Sequence, residues 1–161
     1  MQRLIARLTS TTGSAWTYGL LMAVVAISIS LAIESLSTAI LHALQIDPSR
    51  FVRAPLEVTP LRILSAVLVA PVVETFFIAW TTGLVKNPEQ KMLKIAWVSA
   101  IVWGALHATR GLLEFLPTAW DFFCMTYAFV LWRRKSLKHA YIVALIPHVL
   151  NNTLAIVLMS L

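Results

Sequence analysis

Long apolar runs separated by short polar segments make up most of the chain. The first runs from Trp16 to Leu44 and the second from Leu61 to Val85. Between them lies a segment broken by Asp47-Pro48, Pro55 and Pro60. A polar turn with Asn87-Pro88 leads into a third run, Lys94 to Arg110, and the last run covers Leu137 to Leu161. Runs of this length match the ~30 Å hydrocarbon core of a bilayer when they are helical. Gly111 to Trp132 is less clean, because it holds Glu114, Pro117 and Asp121. It reads as a short re-entrant or interfacial piece, then a span from near Thr118 that closes at Arg133-Arg134-Lys135. That span would cover only ~22 Å, so it must be tilted, be sheltered or start earlier. The pattern predicts an all-α, polytopic transmembrane helix bundle of about five spans. The first run is long for a signal peptide and has no small-residue cleavage site, so it reads as a retained span. Glu34 and His42 fall in or near the end of this run and read as interfacial or helix-packed.

Composition agrees. The chain is 161 residues, 59% hydrophobic and 12% charged, against about 25% charged in a soluble domain. Mean hydropathy is +0.81. A single membrane domain over 1–161 is expected, with an N-terminal span and loop over 1–60 and the functional core over 61–161. The single cysteine, Cys124, lies in an apolar run and reads as a buried, inert thiol. The net charge of +6 does not point to nucleic acid, because basic residues crowd the cytosolic loops of membrane proteins. With a cytosolic N-terminus, the inside segments hold Arg3, Arg7, Lys86, Lys91, Lys94, Arg133, Arg134, Lys135 and Lys138. The outside loops then hold only Arg50, Arg53, Arg62 and Arg110, and the acids Asp47, Glu57, Glu114 and Asp121 lie toward that side. The basic asymmetry predicts a cytosolic N-terminus and a C-terminus on the other side.

Glu74 has no other charged residue near it between Ile63 and Val85. An ionisable group at such a place is costly and marks a functional site by default. Three more polar residues fall at similar depth. Counted from each run's cytosolic end, Glu74 lies ~16 Å deep, His107 ~20 Å, His148 ~15 Å and Asn152 ~21 Å. His148 and Asn152 are four apart and share a helix face. Singly, such a His or Asn is as often a helix–helix hydrogen bond. Together they make a plausible buried site.

These residues also carry a resemblance. Pro71-Val72-Val73-Glu74-Thr75, Trp103-Gly104-Ala105-Leu106-His107 and His148-Val149-Leu150-Asn151-Asn152 stand in the order of three motifs. The chain resembles the CPBP (ABI) family of intramembrane proteases over about Leu61 to Leu161. That family includes CAAX-processing prenyl endopeptidases and bacteriocin-processing or self-immunity proteins. Two positions depart from the family pattern: Thr75 stands where a second Glu is expected, and Ala79 where an Arg is expected. Losing both removes an ion pair together, whereas losing one would strand a buried charge. Arg110, just beyond His107, is a possible substitute cation but reads more simply as an exposed helix-end residue.

The resemblance implies a glutamate-dependent endopeptidase. Glu74 would activate water, with His107 holding that water or moving its proton. His148 and Asn152 would stabilise the oxyanion. The implied partners are membrane lipid and a peptide or protein with a membrane-proximal cleavage site; no cofactor is expected. The implied location is a prokaryotic plasma (inner) membrane. A competing version places Zn²⁺ on Glu74, His107 and His148, although the compact His-Glu-x-x-His signature is absent. Two other classes remain at this point. One is a degenerate family member acting as an immunity or partner-binding membrane protein, as Thr75 and Ala79 allow. The other is a small transporter, for which the buried Glu is the only argument.

Overall fold

The computed structural model describes residues 2–52 and 57–160, without the side chain of Arg3. Arg53, Pro55 and Leu161 lie outside the described residues. The described chain is helical, with no strand. A short helix, α1 (Gln2–Leu8), precedes α2 (Ala15–Ala43). Then follow α3 (Pro60–Gly83), α4 (Met92–Ala108), α5 (Phe115–Arg133) and α6 (Leu137–Met159). Helices α2, α3 and α6 are long and apolar enough to cross a membrane. Large apolar side chains such as Trp16, Val24, Leu61, Phe76 and Ile101 are exposed on the outer faces. A surface of that kind suits lipid rather than water. The chain is an integral membrane protein.

Local chemistry sets the helix starts. Thr59 caps α3 by accepting from the Arg62 amide at 3.3 Å, with Pro60 in the first turn. Ser136 caps α6 by accepting from the His139 amide at 3.2 Å, and its hydroxyl meets the His139 ring at 2.6 Å. In the segment between α2 and α3, Asp47 accepts from both the hydroxyl and the amide of Ser49. Those bonds hold its carboxyl below the usual range.

Helix α5 is the centre of the bundle. Phe122, Cys124, Met125, Ala128, Phe129, Val130, Leu131 and Trp132 are all buried along it. It packs against α2, α4 and α6, while α3 joins the assembly mainly through α6. The expected short span is therefore both sheltered and longer than expected. It begins at Phe115 rather than near Thr118, after one 3-10 turn over Leu112–Glu114. Its 19 residues extend ~28 Å. Cys124 is a buried free thiol, as expected. Glu34, His42 and Arg110 are exposed.

The connecting segments gather at opposite ends. Lys135 donates to the Gly13 carbonyl at 3.2 Å and Arg134 to the Glu89 carbonyl at 3.4 Å. These bonds tie together the three basic segments expected on one side. At the other end, the Leu113 amide donates to the Phe51 carbonyl at 3.0 Å. One basic group departs from this picture, because Nη1 of Arg133 is buried without a hydrogen-bond partner among the described residues.

Two glycines set how closely the helices approach. A Cβ on Gly104 would lie 2.9 Å from the Phe115 carbonyl oxygen and 3.0 Å from the Ala119 Cβ. Both neighbours belong to rigid parts of α5. A Cβ on Gly19 would meet the Ile146 side chain, 2.8 Å from its Cδ1, which can rotate away, and 3.1 Å from its Cβ, which needs only a shift of a few tenths of an ångström. Overpacking a tight contact costs about 1–3 kcal/mol. Gly104→Ala is expected to lower the thermal unfolding midpoint in detergent more than Gly19→Ala; equal or reversed losses would contradict this packing.

Candidate active site

Helix α3 turns one stripe of residues inward: Pro71, Thr75, Ile78 and Thr82 are buried. Glu74 sits beside that stripe and faces α6. Its Oε2 lies 3.2 Å from Nε2 of His148. The His148 side chain is 4% exposed, whereas that of Glu74 keeps 18%. The approach has ion-pair distance but not hydrogen-bond alignment: among the described residues Glu74 Oε2 has no hydrogen-bond partner, and neither has His148 Nδ1, and both atoms are buried.

Asn152 is placed by a defect in α3. Pro71 has no N–H and its ring crowds the carbonyl one turn earlier. The helix widens to a π-turn over Ser65–Val69, and the Ala70 amide reaches back to the Ser65 carbonyl. The next bond in that wider pattern would run from residue 71 to Ala66, and proline cannot make it. The Ala66 carbonyl is left for a partner, and Asn152 Nδ2 donates to it at 2.8 Å. A primary amide has two N–H donors, so Asn152 is held in place and keeps one. The two contacts, Ala66–Asn152 and Glu74–His148, run in opposite order along the chain, so α3 and α6 are antiparallel.

His107 stands apart from the other three. Its Nδ1 lies 2.9 Å from the Trp103 carbonyl oxygen. A carbonyl only accepts, so Nδ1 donates, and the neutral ring then presents Nε2 as a base. Phe122 joins it to the rest. The Phe122 ring stacks on Trp103 at 4.6 Å, and its centroid is 5.8 Å from His107 and 5.5 Å from His148. The two imidazoles therefore flank one aromatic ring. Among the described residues, no three His, Cys, Asp or Glu side chains gather as metal ligands. Glu74, His107 and His148 are not drawn together as a zinc triad would require.

Thr75 and Ala79 face the bundle together. Thr75 is fully buried, with a hydroxyl that has no partner among the described residues, and Ala79 packs on the core. They are four apart on one helix, the spacing of a side-chain pair.

Asp121, grouped by sequence with the acids toward the outside, lies near the start of α5 and is buried there. Its Oδ1 accepts from the Ser30 hydroxyl at 2.6 Å and its Oδ2 from Asn151 Nδ2 at 2.8 Å. Asn151 was passed over in favour of Asn152. A buried acid needs donors, and Ser30 and Asn151, in two other apolar runs, were available to supply them. Phe122 carried no sequence signal, since one Phe in an apolar run looks like any other.

The π-turn makes a specific coupling testable. Asn152→Leu strands the Ala66 carbonyl and is expected to cost about 1–3 kcal/mol. In a Pro71→Ala background the new amide can take that carbonyl, so the same substitution should cost less. Unfolding of the four proteins in detergent measures the coupling, and strictly additive losses would contradict it.

Comparison with curated proteins and with solved structures finds no match. The family model described as type II CAAX prenyl endopeptidase Rce1-like matches residues 55–154. That match covers more than half of the chain. It includes Glu74, His107, His148 and Asn152, together with the π-turn that places the last of them. The chain belongs to the Rce1-like family of type II CAAX prenyl endopeptidases.

Proposed function

We propose that this protein is an intramembrane endopeptidase in which Glu74 is the general base. The observation that carries the reading is the 3.2 Å approach of Glu74 to His148 between two apolar helices. Glu74 takes a proton from water while the water oxygen attacks the scissile carbonyl carbon. The tetrahedral intermediate then collapses, the C–N bond breaks, and the proton passes to the leaving amine. His148 sits beside the carboxylate and contributes a donor to the developing oxyanion. Asn152 contributes its second N–H. His107, with Nδ1 committed to Trp103, offers Nε2 to hold the attacking water. Donors of this kind each matter by ~10²–10³ in rate.

The substrate class follows from the membrane setting and the family. It is a peptide whose cleavage site is brought to the bilayer, as a lipidated C-terminus would be. The topology proposed with it has five spans and a cytosolic N-terminus, supported by the basic segments sharing one end of the bundle.

The test uses the purified chain in liposomes with a farnesylated peptide ending in a CAAX sequence. Glu74→Gln and His148→Gln should each lower kcat by at least ~10²-fold. Full cleavage by both variants would sink the protease reading. Prolonged 1,10-phenanthroline should leave the rate unchanged. A loss restored by Zn²⁺ would instead favour a metal held by Glu74 and the histidines.

A further inference from the structure

Asp121 has no role in the proposed chemistry, yet it joins three helices directly behind the site. Ser30 of α2, Asp121 of α5 and Asn151 of α6 form one hydrogen-bonded chain, with Ser30 also 3.1 Å from the Pro117 carbonyl. Ser30 and Asp121 are each 6% exposed. The neighbours of this chain are the site itself. Phe122, next to Asp121, sets its ring edge-on to His148 at an interplanar angle of 76°. Asn151 lies one turn beyond His148, and Asn152 is bound on the other side to the Ala66 carbonyl. Consecutive asparagines therefore hold α6 from two directions, one to α5 and one to α3. Rotation of α6 by one residue is ~100°, with a ~1.5 Å rise, which is enough to carry His148 away from Glu74.

We propose that Asp121 is a positioning residue for the Glu74–His148 pair: by accepting from Ser30 and Asn151 it fixes the rotation and register of α6 against α5. It does not touch the substrate. The proposal takes Glu74 and His148 as the reacting pair and rests on that reading.

The chemistry of the contact supplies the test. Asp121→Leu removes both acceptors and leaves Ser30 only the Pro117 carbonyl and Asn151 no partner in α5. In Asn151→Asp, two carboxyl groups meet. In the swapped double variant, Asp121→Asn with Asn151→Asp, the amide at 121 donates to the carboxylate at 151 and still accepts from Ser30, so the pattern is rebuilt. Asp121→Leu and Asn151→Asp are each expected to lose at least ~10-fold in kcat on the farnesylated CAAX peptide with KM within ~2-fold, as for loss of an interaction that matters in the transition state. The swap should recover most of the Asn151→Asp loss.

A readout independent of turnover accompanies it. The chain has four histidines, so the ring ¹⁵N resonances of His42, His139 and His148 can be assigned by three single substitutions to Gln. In Asp121→Leu the His148 resonance should move while those of His42 and His139 stay. If Asp121→Leu lowers only the unfolding midpoint, with kcat and the His148 resonance unchanged, Asp121 is structural and the proposal falls. If the swap recovers nothing, the proposal also falls. If the wild-type protein does not cleave the peptide, the protease reading falls, and the His148 resonance still decides for or against Asp121.

Discussion

Within a bilayer there is no water to satisfy a backbone carbonyl that its own helix leaves free. Pro71 creates such a carbonyl at Ala66, and Asn152 answers it at 2.8 Å. Much of the site's geometry depends on this contact. Helix α3 has little other attachment to the bundle than α6. The bond, together with the buried stripe Pro71, Thr75, Ile78 and Thr82, holds α3 where Glu74 meets His148. Proline three residues before the glutamate is thus part of the site, although it has no reactive group.

The same constraint governs the other polar residues. Asp121 uses both carboxyl oxygens, one for Ser30 and one for Asn151. His107 is tied to a carbonyl of its own helix. The Ser99 hydroxyl accepts from Thr126 at 2.8 Å. The constraint is not met everywhere: among the described residues Glu74 Oε2, Thr75 Oγ1, Trp120 Nε1, Trp132 Nε1, Arg133 Nη1 and His148 Nδ1 are buried without a hydrogen-bond partner. Glu74 and His148 differ from the rest in that they approach each other, 3.2 Å apart, which makes an unsatisfied pair of titratable groups a candidate for chemistry.

The helical architecture and the grouping of loops at two ends were legible from the apolar runs and the basic segments. Depth and motif order singled out Glu74, His107, His148 and Asn152, and of these the structure brings Glu74 to His148 and Asn152 to the Ala66 carbonyl. The contact between Glu74 and His148 was not legible, because depth along a helix does not set its rotation. The role of the Ala66 carbonyl was hidden for a related reason: the π-turn depends on how α3 relieves the Pro71 ring, and a hydropathy pattern does not record it. The partners of Asp121 were not legible either, because its place near the outer end of a span does not say which helices it meets; a helix surrounded by protein can carry an acid that a lipid-facing helix cannot.

The central claim is that Glu74 and His148 act as one unit on the scissile bond. Residues that act as a unit are non-additive in kcat. The most direct measurement compares kcat on a farnesylated CAAX peptide for Glu74→Gln, His148→Gln and the double variant. The account predicts a double variant no slower than the slower single variant. Losses that multiply would show that the two side chains act independently, and would contradict it.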